Sequence, residues 1–359
     1  MMQQQIITQK HHSDTVSEAI IKTPQSSAVR DLFFNLAKDH DLGFVKTSTD
    51  QYICATPLGA IEISMETARI TIRLRSPTQE NLYTLQDSVT QHIAHKSEPL
   101  AASLQWTGSI KKGDTPPNFR LMTVVSSKRI SSSYYRIRLH GDALASFAQD
   151  GLHVRLLLPN NPSDPKWPKI GSNGQTKWPT GKDTLHKPVY TIRWIDPQSG
   201  LLDIDIFIHD GGRTSIWAAS VEPYKKVGIM GPGGGWHPNA DWILLAGDAT
   251  ALPAIARILE NTTKETQVTA IIKASSKEDE TLTIAPDNGS ITWISIIQPE
   301  TELLKRVNSI SIPKNKTRYV WFAGEKSMAQ AVRQHFTSQG LSKQELYSAG
   351  YWKSKIPLL

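Results

Sequence analysis

Four short stretches carry glycine, hydroxyl, acidic or cationic residues, in different mixtures, at spacings that could do chemistry. In VYTIR (189–193), a strand would put Thr191 and Arg193 on one face, because alternate side chains share a side of a strand. With Tyr190 beside them they could orient a polar ring edge and neutralise a phosphate. The same five residues are equally an ordinary strand with one exposed arginine. HDGGRTSIWA (209–218) reads as a loop entering a helix and brings in His209, Gly212, Arg213, Thr214, Ser215 and Trp217. Helix N-terminal N–H groups attract anions, and paired glycines let a phosphate approach the backbone. Thr214 and Ser215 could donate to its oxygens, although both residue types also serve as plain N-caps. GPGGG (231–235) reads as a hinge, because Trp236, His237 and Pro238 follow it instead of a helix. GDAT (247–250) ends an apolar strand and opens a helix, the place where parallel sheets bind ligands. Asp248, Thr250 and Ala251 are the candidates there. The G-x-G-x-x-G fingerprint is absent, and Thr250 is also a natural structural cap.

The elements that must position these residues follow from periodicity and punctuation. Residues 1–25 read as a polar tail. Residues 26–108 read as a small α+β domain, with helices over 27–39 and 79–95 and alternating strands over 59–66 and 69–76. SIKKGDTPPN (109–118) has the composition of a linker. Residues 119–235 read as an antiparallel β-barrel, with strands over 120–130, 134–141, 153–159, 189–195 and 201–209 and an exposed loop over 161–188. Residues 236–359 alternate strands and helices, as a parallel α/β sheet requires.

Composition narrows the function classes. Cys54 is the single cysteine, which excludes a disulfide framework and a cysteine-ligated metal cluster within this chain. His92 and His95 could share a helix face, but no third ligand is evident, so no metal site is expected. The polar N-terminus and the lack of a long apolar run predict a cytoplasmic chain with no membrane segment. The net charge is +7 over 359 residues. Residues 1–106 carry 9 Lys and Arg against 11 Asp and Glu, and the remainder 31 against 22, so the positive field belongs to the latter. Blocks of Lys and Arg are absent, which argues against nucleic acid and for a small polyanionic ligand.

A barrel followed by a nucleotide-type domain is an arrangement used by flavin reductases. The ordered set VYTIR, HDGGRTSIWA, GPGG, LLAGDATALPAIARILE (244–260), AGE (323–325) and GYWK (350–353) resembles the siderophore-interacting proteins over about residues 120–354. The segment closing with HIAHKSEPLAASLQW (92–106) resembles a small domain of unknown function. The first resemblance implies a ferredoxin-reductase-like fold and reduction of a ferric siderophore through FAD. NAD(P)H or reduced ferredoxin would be the donor. It implies no catalytic side chain, and it implies FAD or nicotinamide contacts at the candidates above. Pro188 stands where the family's R-x-Y-[ST] motif has arginine, and Lys187, Arg193 or Arg213 could supply that charge. Ala249 replaces the family's Glu in GDET. An anionic chelate would dock on Arg155, Lys225, Lys226, Lys273, Lys353 and Lys355, and a monomer is expected. The competing readings are a general NAD(P)H-dependent flavin or ferredoxin-type oxidoreductase and a non-enzymatic ferric-siderophore carrier.

Overall fold

The computed structural model describes residues 15–22, 26–39, 42–149, 151–235 and 237–354. They fall into two compact units. The first comprises the chain up to Phe119 together with Pro159–Leu185, and the second comprises Arg120–Leu158 and His186–Leu359.

In the first unit, the expected polar tail contains strand β1 (Thr15–Lys22), with Ala19 and Ile21 buried. Helix α1 (Ser26–Asp39) follows, then β2 (Val45–Ser48), β3 (Gln51–Thr56), β4 (Gly59–Glu66) and β5 (Arg69–Ser76). Helix α2 (Gln79–Lys96) is capped by the Thr78 side chain, and α3 (Glu98–Ser103) and β6 (Trp106–Gly108) complete the run. The six strands pair in the order β2-β3-β4-β5-β1-β6. β1 lies antiparallel to β5 from Thr15 opposite Ser76 to Lys22 opposite Arg69. This long-range pairing puts Ala19 and Ile21 on the same face as Ile70, Ile72 and Leu74, all buried.

The second unit holds a closed barrel and a parallel sheet. The barrel strands are β7 (Phe119–Arg129), β8 (Tyr134–His140), β9 (His153–Pro159), β13 (Val189–Asp196), β14 (Leu201–Phe207) and β15 (Lys226–Gly233). The numbers between belong to three two-residue strands, β10 (Lys169–Ile170), β11 (Thr176–Lys177) and β12 (Leu185–His186). The ring runs β9-β13-β14-β8-β7-β15 and returns to β9, leaving no open edge in it. Ile137, Leu156, Ile192, Ile204 and Ile229 fill its interior. Helix α4 (Arg213–Ser220) follows β14.

The parallel sheet takes the order β18-β17-β16-β19-β20. Its strands are β16 (Trp242–Gly247), β17 (Gln267–Lys273), β18 (Gly289–Ile294), β19 (Arg318–Glu325) and β20 (Leu346–Trp352). Helix α5 (Leu252–Glu260) covers one face with Ile243, Leu245 and Trp321. Helices α6 (Glu300–Asn308) and α7 (Lys326–Ser338) cover the other with Leu244, Ala246 and Phe322. Both faces are buried, which is why β16 reads as one continuous apolar run.

The GPGGG stretch is more than a hinge. β15 continues through Gly233, which stands opposite His153. Leu152 N–H donates to the Gly235 carbonyl at 3.1 Å, so the glycines extend the barrel edge.

Candidate functional site

The start of α4 gathers cations at an uncapped helix end. Gly212 is the N-cap and offers no side chain to the first turn. A Cβ there would lie 2.5 Å from the His209 ring, so any larger residue would have to displace that ring. Beside it, Tyr190 hydrogen-bonds the Thr214 hydroxyl, which lies 3.0 Å from His186 Nε2. Burial raises the Tyr190 phenol, so it stays protonated and can act as a donor. Burial, then the Arg213 charge, pushes the His186 imidazole below its ordinary value. Burial, then the Arg155 charge, does the same to the Lys187 ammonium. Arg155 Nη1 also reaches the Lys187 carbonyl at 3.4 Å. Arg213 in the first turn thus stands beside the neutral His186 imidazole, and Arg155 beside Lys187, the next residue along the chain. That donor set suits the pyrophosphate of a dinucleotide such as FAD.

Other candidates in this region are turned to structural work. Ser215 Oγ donates to the Phe207 carbonyl at 3.2 Å and accepts from His209 N–H at 3.3 Å, which closes its own loop. Trp217 packs against the barrel core. Thr191 is buried at 4% exposure, opposite His153 on β9. Arg193 is a correction. Its guanidinium makes two bonds to Glu260, at 2.7 and 2.5 Å, and one to the Leu282 carbonyl at 3.3 Å. It ties β13 to the end of α5 and has no orientation left for a phosphate. Of the three cations weighed against Pro188, Arg213 opens α4, and Lys187 adjoins His186, whose Nε2 meets Thr214.

The start of α5 is built differently. The Asp248 carboxylate is buried and accepts from Thr250 N–H at 2.8 Å, Thr250 Oγ1 at 2.5 Å and Trp352 Nε1 at 2.7 Å. Burial raises its pKa, and these three bonds pull the other way. A Cβ at Gly324 would meet Asp248 Oδ2 at 2.7 Å, and one at Gly247 would meet the Ala323 carbonyl at 2.4 Å. Those two glycines let β16 and β19 close around the carboxylate. Ala251, a cofactor candidate, is fully buried in the core, so its side chain presents nothing to a ligand. Its place at the α5 entrance is structural.

Next to this end, His153 Nδ1 lies 3.1 Å from the Gly234 carbonyl and Nε2 lies 2.7 Å from Tyr351 Oη. A carbonyl only accepts, so Nδ1 carries the proton and Nε2 accepts from the tyrosine. Burial holds this neutral imidazole down to about 4. Arg257 of α5 donates to the Gly151 and Leu152 carbonyls at 3.3 Å each, and burial lowers its guanidinium to about 10. Tyr351 and Trp352 pin the end of the chain to β9 and to Asp248.

The cations expected to dock a chelate do not form one surface. Lys273 is a second correction. At 5% exposure its Nζ donates to Glu300 at 2.6 Å and to the Gln298 carbonyl at 2.9 Å. Lys225 faces Glu222 at 3.7 Å, and Lys226 donates to Thr123 at 2.6 Å. Met230, four residues beyond Lys226 on β15, stands opposite Arg155. The two ends of that stretch are roughly 13 Å apart. Lys353 is exposed next to Trp352, and Lys355 lies outside the described residues. His186, His153 and Arg257 were absent from the sequence candidates. The pair His186–Lys187, separated from VYTIR by Pro188, was the one signal available. Among the described residues, no group of three potential ligands could hold a metal ion. None of their helices is long and apolar enough to cross a membrane.

Comparisons with known proteins agree with this architecture. Residues 123–236 match the family model of the siderophore-interacting FAD-binding domain, and residues 240–355 match that of the siderophore-interacting protein. The chain is 29% identical over 249 residues to the ferric vibriobactin reductase ViuB of Vibrio cholerae, which covers 65% of this chain and 89% of that protein. It is 29% identical over 247 residues to the NADPH-dependent ferric-chelate reductase of Escherichia coli, covering 66% and 94%. Among solved structures, a siderophore utilization protein from T. fusca is similar with a TM-score of 0.56 and 29% identity, covering 69% of this chain and 97% of that one. A ferredoxin reductase of carbazole 1,9a-dioxygenase shares the fold at a TM-score of 0.51 and 14% identity, covering 69% of this chain and 73% of that one. The described barrel and parallel sheet are thus those of a member of the siderophore-interacting protein family, to which this chain belongs over residues 123–355.

Proposed function

We propose that this protein is an FAD-dependent oxidoreductase that reduces Fe(III) in a siderophore complex with NAD(P)H as donor. The carrying observation is the cationic, uncapped start of α4 inside the barrel unit that matches the FAD-binding family model. When bound, FAD accepts a hydride and passes electrons on singly, which is the chemistry chelated iron needs. The protein's residues supply grip and orientation. Arg213, Thr214 and the N–H groups of the first turn of α4 hold the pyrophosphate, with Lys187 and Arg155 completing its charge balance. Tyr190, hydrogen-bonded to Thr214, would set the edge of the ring system. Asp248 and Thr250, braced by Trp352, present a hydrogen-bonding carboxylate and hydroxyl to the nicotinamide nucleotide.

No general acid is required on the protein. Hard siderophore oxygens suit Fe(III) better than Fe(II), so reduction itself loosens the chelate. The exposed cations Arg155, Lys225, Lys226 and Lys353 favour an anionic complex through the positive field of this half of the chain. The reading takes the enzyme as a cytoplasmic monomer, where NAD(P)H or reduced ferredoxin is at hand. The test is anaerobic. The purified protein is loaded with FAD, reduced with NADPH, NADH or reduced ferredoxin in turn, and mixed with a ferric siderophore and a ferrous trap. Flavin reoxidation with matching Fe(II) release is expected. A chain that neither retains FAD nor releases Fe(II) with any donor sinks the reading, and binding of the complex without flavin leaves a carrier.

A further inference from the structure

The first unit contains a feature that the proposed reduction does not use. The loop Pro159–Leu185 and the linker expected at 109–118 fold together within that unit. Gly113 N–H donates to the Ile170 carbonyl at 2.8 Å, and Ile170 N–H to the Asp114 carbonyl at 2.9 Å. The β10–β11 hairpin is anchored on α2. Thr176 N–H donates to Asp87 at 2.8 Å, and the Tyr83 hydroxyl lies 2.7 Å from Thr176 Oγ1. Gly174 has φ +78°, and a Cβ there would meet Gln86 Nε2 and Trp106 at 2.5 Å, so the loop sits close on the helix. These contacts shape a groove of about 880 Å³. That is within the size range of small-molecule sites.

Its lining is cationic and aromatic. The triplet Lys-Trp-Pro occurs twice in this loop, at 166–168 and 177–179. Lys166, Lys169, Lys177 and Lys112 line the groove with Trp167 and Trp178. Lys169 and Lys177 stand directly opposite each other on the hairpin. Like charges at directly opposed positions weaken a strand pair, and the Lys169 ammonium turns to Thr115 Oγ1 at 3.1 Å. Lys166 is offset by Asp164 at 2.8 Å, and Asp183 is the one acid in the lining. The lining is therefore net positive and carries two indole side chains, of which Trp167 also packs on Phe119 with ring centroids 5.7 Å apart. A ligand that lowers the energy of this arrangement carries several negative charges and aromatic rings.

We propose that this groove is a docking site for an aromatic, polyanionic ferric chelate of the tris-catecholate class. The inference rests on the ferric-siderophore reading above. Catecholate rings stack on Trp167 and Trp178 while the ammonium groups meet the anionic oxygens. Four lysines in one small concavity and two tryptophans match a compact trianion better than an extended polymer. A nucleic-acid strand needs a longer basic track with repeated stacking positions.

The experiment uses the full FAD-loaded protein and the gallium(III) complex of a tris-catecholate siderophore, which binds but is not reduced. Calorimetric titration of Lys177→Glu, Lys112→Glu and Trp178→Ala is expected to show affinity at least tenfold below that of the unaltered protein. Flavin content should be unchanged, and binding should weaken with salt. Affinity within twofold of the unaltered protein in all three variants overturns the proposal. So does a short single-stranded oligonucleotide that binds the groove more tightly than the gallium complex at the same salt. The two readings fail separately. Groove-dependent binding without NADPH-driven reduction keeps the site and loses the reductase. Reduction with unchanged KM in Lys177→Glu keeps the reductase and loses the site.

Discussion

The starts of α4 and α5 handle charge in opposite ways. At α4, four basic groups stand near one another and stay within reach of solvent, with His186 and Lys187 held down partly by Arg213 and Arg155. At α5 the charged groups are buried, and burial drives each toward its neutral form. His153 falls to about 4, Arg257 falls to about 10, and Asp248 is raised. An uncapped helix end beside several basic residues suits an anion. A satisfied carboxylate under a tryptophan is built to keep a rigid shape. The difference teaches that charge shapes one helix end and buried hydrogen bonds shape the other.

The largest expected effect tests the buried side. The folded pKa of His153, about 4, lies below its unfolded value near 6.5. Its contribution is therefore complete above pH 6.5 and is lost as pH falls through that window, because the unfolded chain takes up the proton first. The loss amounts to about 3 kcal/mol at the acid end. His237, also lowered to about 4, adds to the same slope, whereas Asp248 opposes it. Urea unfolding between pH 7 and 4 should show a clearly shallower slope for His153→Asn. Identical slopes would mean that the imidazole is not neutral in the folded chain.

Next comes the charged side. Arg213→Glu should cut FAD affinity about thirtyfold, since a charge-assisted contact contributes roughly 1.5–3 kcal/mol. The readout is flavin retained per chain after dialysis, and the unfolding midpoint of the flavin-free protein should stay unchanged. Retention equal to the unaltered protein would remove the pyrophosphate from this helix end.

A third variant separates the two kinds of cation. Arg193→Met breaks the pair with Glu260 and should lower stability by about 1.5 kcal/mol. Glu260 is 49% exposed and can rehydrate, which keeps the loss below that of a fully buried pair. Flavin affinity should not move. A flavin loss equal to that of Arg213→Glu would restore Arg193 to the cofactor.

The sequence disclosed elements whose pattern is local. β4 and β5 alternate apolar and polar residues and were expected over the residues where they occur, 59–66 and 69–76. β16 reads as a buried strand because both of its faces are covered. What depends on distant partners was hidden. β1 looks like part of a polar tail until β5, about fifty residues on, supplies its partner strand. The loop over 161–188 has loop composition, yet it is fixed by Asp87 and Tyr83 of α2. Arg193 carried the right chemistry for a phosphate, and only the fold reveals Glu260, 67 residues later, as its partner. Lys273 was hidden in the same way by Glu300. Charge type was legible, but its counter-ion was not.

The smallest effect tests whether the α5 end works by geometry. Trp352→Phe keeps the ring's packing and removes the donor to Asp248 Oδ2. One lost hydrogen bond should cost about 1 kcal/mol of stability. The Asp248 pKa should climb further, because one of the bonds favouring its charged form is gone. If Asp248 and Thr250 meet the nicotinamide nucleotide, the carboxylate is also less firmly held. KM for NADPH should then rise several-fold while kcat for a saturating donor and the FAD content stay level. A matching rise in FAD loss would show that the two helix ends act as one site, and the contrast between them would have to be abandoned.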